Sequence, residues 1–335
     1  LANWVGSYRE KGGEGFYRLE RDGGRLMLTG CERAIEDASY VVWSDRHRLA
    51  YMVEEKEEGR IATWRFDGAW EHVASLPSGG ALPCFLSLSP DGHTLACANY
   101  GDGTLTTFAL DPESGAPRQL LSSYRPSGHG PVPERQEGPH AHCAVFDGDD
   151  VLYHVDLGLD RVFRHELERG RIVASAPAFS APSGAGPRHL LLHPDAEHDL
   201  LVCELSAQLL LLRREGPDFA CVGAVPTCPH DGVRDNLGGH LALDRDGTVL
   251  VTNRGHDSLV RFAIDGEQLH LREWSHTGGS SPRHLMVDRG QVIVAHEEGG
   301  GVAHVSLNAQ DACRIANIPG AAFLIEIPDV AQSKP

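Results

Sequence analysis

A chain of 335 residues with a formal net charge of −17 and a sequence pI near 5.5 is longer than one hydrophobic core usually serves, and it repels polyanions. Nucleic acid and anionic membrane are therefore not expected partners, and no apolar run approaches membrane-spanning length. The 38 glycines and 20 prolines are spread along the chain rather than gathered into a linker, and 41% hydrophobic content suffices for packed sheets, so one repeat-built domain is expected over 1–335.

Residues 2–8, 14–20 and 24–29 read as three strands without an inner partner. Six units of one plan follow, over 38–80, 82–130, 139–185, 187–236, 238–280 and 282–320. The first opens loosely at Ala38-Ser39-Tyr40. The others open at Leu82-Pro83-Cys84-Phe85, Gly138-Pro139-His140-Ala141-His142, Gly186-Pro187-Arg188-His189, Gly238-Gly239-His240 and Ser281-Pro282-Arg283-His284. Openings recur roughly every 40 to 57 residues, the period of a four-stranded propeller blade.

The unit at 82–130 shows the plan. Phe85–Ser89 alternates apolar and polar as a half-buried strand does, and Pro90-Asp91-Gly92 is turn chemistry. Thr94–Ala98 is a second strand, buried on both faces and ending at Asn99. Gly101-Asp102-Gly103 turns into a third strand, Thr104–Leu110, and Gln119–Ser122 is a short outer one. No segment of helical length carries a clean 3.6-residue period. A single strand, Ala322–Ile327, ends the series. Joined to 1–30, residues 321–328 complete a seventh blade. The expected fold is an all-β, seven-bladed propeller, four antiparallel strands per blade, with the ring closed by both termini so that no sheet edge is left open.

In such a blade the start of the first strand lies beside the end of the second, on one face of the disc. The blade openings bring His140 and His142, Arg188 and His189, His240, and Arg283 and His284 to that mouth. The second-strand ends bring Asn99, Asp156, Glu204, Asn253 with Arg254, and His296. The opposite face carries ordinary turn residues such as Asp91-Gly92 and Asp246-Gly247. Several arginines at one mouth of an acidic chain suggest a small anionic ligand, because a guanidinium matches carboxylate or phosphate with forked hydrogen bonds. Glu204 and the histidines add groups that move protons near neutral pH. Arg188 paired with Glu204 or Asp156 is also a structural possibility, and Glu204 among Leu201, Val202, Cys203 and Leu205 needs a partner or a displaced pKa.

His140-Ala141-His142 could be half of a metal site, since strand residues two apart share a face. Arginines at the same rim oppose a cation, so neither metal nor cofactor is expected. Asp156-Leu-Gly-Leu-Asp160 reads as a polar hairpin tip. The eight cysteines, at 31, 84, 97, 143, 203, 221, 228 and 313, form no Cys-X-X-Cys pair. Free thiols in a reducing compartment fit that pattern, and no secretory signal is visible, so a cytoplasmic protein is expected, monomeric or weakly homo-oligomeric.

Several of these motifs resemble the seven-bladed lactonase family, which includes the propeller-type 6-phosphogluconolactonases and the fungal carboxy-cis,cis-muconate cyclases. They are Pro83-Cys84 with Ala98-Asn99-Tyr100-Gly101, Arg135-Gln-Glu-Gly-Pro-His-Ala-His142, Asp156–Asp160, Gly184–His189, Cys203-Glu204-Leu205-Ser206, Thr252–Ser258, and Gly278-Gly279 with Pro282-Arg283. The resemblance implies a catalytic set of His140 (or His142), Arg188, Glu204 and Arg254. Substrate contacts are expected from His142, His189, Arg283, Asn99, Asp156 and Asn253. The chain departs from the family at Asp37–Tyr40, where Asn-Pro-Ser-Tyr is frequent, and at His296-Glu297-Glu298, where an Asn is frequent.

The reading these features favour is hydrolysis of a sugar-acid lactone, 6-phosphogluconolactone first, with Glu204 or His140 activating water and Arg188 and Arg254 holding the oxyanion and the substrate's negative group. A cycloisomerase or lyase acting on a muconate-type dicarboxylate is the alternative. A non-catalytic interaction scaffold is the second alternative. Arg188→Ala and Glu204→Gln are each expected to remove most activity at unchanged thermal stability.

Overall fold

The computed structural model describes residues 2–194, 197–229, 235–307 and 310–329. Its strands form seven four-stranded antiparallel sheets. Blade 1 comprises Val41–Ser44, Leu49–Glu54, Arg60–Phe66 and Trp70–Pro77. The inner strands of blades 2 to 6 are Pro83–Leu88, Ala141–Phe146, Pro187–Leu192, Leu237–Leu243 and Ser280–Asp288. Blade 7 is built from both ends of the chain. Ala321–Ile327 is its inner strand and pairs antiparallel with Ala2–Ser7, followed by Phe16–Asp22 and Arg25–Glu32. The ring is therefore closed by pairing, as the alternation and the lone terminal strand predict.

The second strand of a blade is the most deeply buried. Thr94–Asn99 and Val249–Asn253 are buried throughout, which fits their near-continuous apolar sequence. Outer strands such as Arg25–Glu32 and Arg171–Ser180 face solvent along most of their length. Apolar clusters fill the space between neighbouring blades. One packs Leu200, Val202, Leu209 and Leu211 of blade 4 against Leu241, Val249 and Val251 of blade 5.

A β-bulge near the start of the inner strand in blades 2 to 7 decides what faces the mouth. In blade 4, Pro187 pairs with Cys203 and His189 with Val202, so Arg188 is an extra residue. The same slip occurs at Cys84, at His142 and, between Pro282 and His284, at Arg283. In blade 5 it falls between Gly238 and Leu241. Bulges re-aim single side chains without disturbing the rest of a strand. Here they place His142, Arg188 and Arg283 at equivalent points of three blades.

All eight cysteines are free thiols, with Cys84, Cys97, Cys143 and Cys203 buried and Cys221 and Cys313 exposed. No helix among the described residues is long and apolar enough to cross a membrane.

Candidate active site

Glu204 follows the last residue of its second strand, His198–Cys203. Its backbone is held at both ends: its N–H donates to Gly186 O at 2.7 Å, and its carbonyl accepts from Gly238 N at 2.9 Å. The carboxylate is thereby fixed between the openings of blades 4 and 5. Gly186 has φ +59°, and a Cβ there would lie 2.4 Å from Leu205, so the turn that carries Glu204 needs glycine.

Three guanidiniums converge on this carboxylate. Arg188 Nη1 donates to Oε2 at 2.9 Å, Arg254 Nη2 lies 2.6 Å from Oε2, and Arg135 Nη2 donates to Oε1 at 2.5 Å. Glu204 is 2% exposed and Arg188 3%. Burial alone would raise the carboxyl pKa. Arg254, Arg188, His142 and Arg135 together outweigh it and hold Glu204 well below the usual carboxylate range. For Arg188, burial and neighbouring Arg254 outweigh Glu204 and push the pKa down to about 10, so it remains a cation at neutral pH.

His142 is the imidazole of this cluster. Arg188 Nη1 also donates to His142 Nε2, and His142 Nε2 is 3.8 Å from Glu204 Oε2. Burial first, then Arg188, push the His142 pKa well below 6.5, so the ring is neutral. Because Nε2 accepts from Arg188, the proton of the neutral ring sits on Nδ1. Arg188 Nε donates to the carbonyl of Gly239 at 3.1 Å, which fixes the guanidinium plane. Gly239 has no room for a side chain: a Cβ would lie 2.3 Å from Thr252 Oγ1.

His140 does not join the cluster. Its ring stacks on Tyr100 with centroids 4.6 Å apart, its Nδ1 bonds Tyr100 O at 2.8 Å, and its Nε2 lies 3.2 Å from Glu137 Oε1. The bulge at His142, absent at His140, is the reason. Tyr100 in turn meets His142 edge-on, with centroids 5.5 Å apart, and accepts from Arg135 Nη2 at 3.2 Å.

Asn99, Asp156 and Asn253 do not offer their side chains to the mouth, contrary to the expectation for them. Asn99 Nδ2 donates to Thr104 O at 2.9 Å, inside its own turn. Asp156 Oδ1 accepts from His140 N at 3.0 Å and Leu159 N at 2.9 Å. Asn253 bonds Thr227, Asn236 and Ser258. Successive strand side chains alternate faces, so Tyr100 after Asn99 and Arg254 after Asn253 point to the mouth instead. That register holds Tyr100, Glu204 and Arg254, and also Tyr8, Glu55 and Glu297.

The latter three surround Arg283. Arg283 lies 3.1 Å from Glu297 Oε2 and 3.9 Å from Glu55 Oε1, with its guanidinium 5.2 Å from the Tyr8 ring centroid. Tyr8 Oη donates to Glu55 Oε2 at 2.7 Å. Arg283 feels Glu204, and Glu297 feels Arg254, so the two clusters form one electrostatic unit. His189 sits beside the first cluster, its ring 5.3 Å from that of His142.

Arg135 was not among the expected site residues. It lies on the irregular segment before blade 3, where periodicity carries no information. Its neighbour Gln136 is fully buried, with Nε2 donating to Leu157 O and to Asp160 Oδ1, both at 2.8 Å. Asp160 also accepts from Gly184 N and Gly186 N at 2.7 Å each. The anchoring of this segment is visible only in the structure, because Gln136 reads in the sequence as an ordinary polar loop residue. Among the described residues no group of three or more His, Cys, Asp or Glu is placed to hold a metal.

Comparison with known proteins agrees with this architecture. The chain is 29% identical over 313 residues to the 6-phosphogluconolactonase of Bacillus subtilis, covering 89% of each chain. A solved structure of a Lactobacillus plantarum protein superposes with TM-score 0.86 at 26% identity, covering 96% of this chain and 98% of that one. The periplasmic gluconolactonase of Pseudomonas aeruginosa shares the fold, with TM-score 0.84 at 24% identity over 98% of this chain and 99% of that one. Residues 2–314 match the model of the family described as lactonase, 7-bladed beta-propeller, and the chain belongs to that family.

Proposed function

We propose that the chain hydrolyses a sugar-acid lactone, with 6-phosphogluconolactone as the first substrate to test. The observation that carries the reading is the buried Glu204 carboxylate gripped by Arg135, Arg188 and Arg254 beside a neutral His142. The B. subtilis relative, named for the phosphorylated lactone, supports the substrate.

In this reading His142 replaces His140 as the general base. A lactone carbonyl oxygen that takes the Arg188 donor frees the His142 Nε2 lone pair for a water. Water attacks the carbonyl carbon, its proton passes to Nε2, and the oxyanion is held by Arg188 and Arg254. Collapse breaks the ring C–O bond, and His142 returns the proton to the departing alkoxide. The products are an alcohol and a carboxylic acid, which gives up its remaining proton to solvent and leaves as a carboxylate. Glu204 is too stable as an anion to serve as a strong base. Its role is to hold three guanidiniums in place before substrate arrives. Base assistance of ~10²–10⁴-fold and an oxyanion contact of ~10²–10³-fold set the scale.

Arg135, partly exposed at the rim, is the guanidinium best placed to meet the substrate's phosphate. The test is a panel containing 6-phosphogluconolactone, gluconolactone and a cis,cis-muconate, each followed by acid release or absorbance above its spontaneous rate. Enzyme-dependent opening of the sugar lactones supports the proposal. Turnover of the muconate alone would replace it with the cycloisomerase reading, and turnover of none would end both.

A further inference from the structure

Near the mouth, the inner strand of each blade places one side chain opposite the second strand, one step beyond the bulge in blades 2, 3, 4, 6 and 7. Phe85 faces Ala98, Cys143 faces Val155, His189 faces Val202, His284 faces Ala295 and Phe323 faces Gly6. Tyr40 holds this place in blade 1, through its carbonyl to Val53 N, and His240 in blade 5, through its N–H to Thr252 Oγ1. In four blades the position is filled by Tyr, Phe or Cys, so packing alone is satisfied by apolar groups. Blades 4, 5 and 6 carry imidazoles instead.

These three form a continuous arc. The His189 and His240 ring centroids are 5.2 Å apart, and those of His240 and His284 are 3.9 Å apart. Aromatic rings flank the arc at both ends, His284 against Phe323 at 4.3 Å and His189 against Phe85 at 5.5 Å. In each of the three rings Nδ1 is buried and has no hydrogen-bond partner in the protein. Such orphaned polar atoms carry a desolvation cost and call for a partner. The arc starts at the catalytic cluster, because Arg188 precedes His189 and perturbs all three rings.

The chemistry narrows the partner. Burial keeps all three rings neutral, with His240 pushed down to about 3. A neutral imidazole has one donor and one acceptor nitrogen, as an alcohol has one donor and acceptor lone pairs. A phosphate or carboxylate would instead seek cations. A metal would need the rings to converge on one point, and they are not placed to do so.

We propose that the His189–His240–His284 arc is the subsite that reads hydroxyl groups, so that the chain selects polyhydroxylated lactones over lactones with a bare hydrocarbon backbone. This rests on the lactonase reading and adds the substrate feature that the arginines cannot distinguish. Calorimetric titration with gluconate and hexanoate, which share carbon count and charge, tests it without requiring turnover. The intact protein is expected to bind gluconate at least tenfold more tightly than hexanoate. His240→Leu should weaken gluconate about tenfold and leave hexanoate unchanged, while His240→Gln, which keeps a donor and an acceptor, should recover most of the loss. Equal binding of the two acids, binding of neither, or an equal loss of both in His240→Leu would overturn the proposal. If these binding results hold but no lactone is opened, the arc stands and the lactonase reading falls. If lactones are opened but the arc variants do not discriminate, the reverse holds.

Discussion

Arg188 lies on the inner strand of blade 4 and Glu204 just past the end of the strand paired with it, and the bulge at Arg188 is what lets their side chains meet at 2.9 Å. Both are almost wholly buried, and the same Arg188 nitrogen also reaches His142 on the neighbouring blade. One guanidinium thus couples the anion that organises the site to the imidazole proposed as its base.

Burial makes the two partners unequal in stability, which revises the expectation that both substitutions leave it unchanged. Glu204→Gln strips the countercharge from three arginines, one of them fully buried, and should cost ~3–5 kcal/mol. Arg188→Ala leaves Glu204 paired with Arg254 and Arg135 and should cost distinctly less. Urea unfolding of both variants checks this. Equal and negligible losses would mean that the cluster contributes no stability in the folded state.

His142 and His140 should separate kinetically. His142→Asn should lower kcat by ~10²–10⁴-fold, the range of general base assistance. His140→Asn disturbs Tyr100 and Glu137, neither of them a partner of Arg188, and should change kcat by less than about tenfold. Steady-state kinetics of the two variants decides which histidine is the base, and a larger kcat loss at His140 would reverse the assignment.

The plan of strands, turns and ring closure was legible in the sequence because alternation, Asp-Gly turns and the unpartnered terminal strand each follow from local chemistry. The site was legible only in part. Glu204 and Arg254 were found, but Asn99 and Asn253 were chosen one residue too early, and Asp156 holds the backbone of His140 and Leu159 instead. In a strand a shift of one reverses the facing. The offset that fits Glu204 after Cys203 would also have picked Tyr8, Glu55, Tyr100 and Glu297. The choice between His140 and His142 depended on where an extra residue enters the ladder, which no composition or period encodes. The departure at His296 also resolves: its Nδ1 bonds Gly301 O at 3.0 Å, the turn-closing contact that Asn99 makes with Thr104.

Acid should destabilise the fold sharply. His142, His154, His165, His189 and His284 are buried and His240 is partly so, and burial depresses the pKa of each. Below about pH 6.5 the unfolded chain binds protons that the folded chain refuses, so stability falls as pH drops. Six such groups give a limiting slope of about 8 kcal/mol per pH unit. Asp156, raised by burial to about 6, acts in the opposite sense and offsets about one of them. Urea midpoints at neutral and mildly acid pH should differ strongly, and matching midpoints would show that these rings are not held neutral.

Within the range where the fold persists, activity should not follow an ordinary histidine titration. The base must be neutral, and the depressed pKa of His142 keeps it so well below pH 6.5. Glu204, likewise depressed, stays ionised. The acid limb of kcat/KM should therefore lie below the ordinary histidine value, and an inflection near that value would contradict the assignment of His142.

Arg135→Ala tests recognition of the substrate's charge. It removes a rim guanidinium while Arg188 and Arg254 keep hold of Glu204. KM for 6-phosphogluconolactone should rise about tenfold, the size of one charge-assisted hydrogen bond, with little change for unphosphorylated gluconolactone. Parallel KM measurements check it, and equal changes for both lactones would remove Arg135 from phosphate recognition.

The most direct measurement is kcat/KM for 6-phosphogluconolactone, with the spontaneous rate subtracted, in the native chain and in Arg188→Ala at matched folded fraction. The account predicts enzyme-dependent opening of the lactone ring that falls by ~10²–10³-fold when Arg188 is lost. Undiminished turnover in the variant would contradict it.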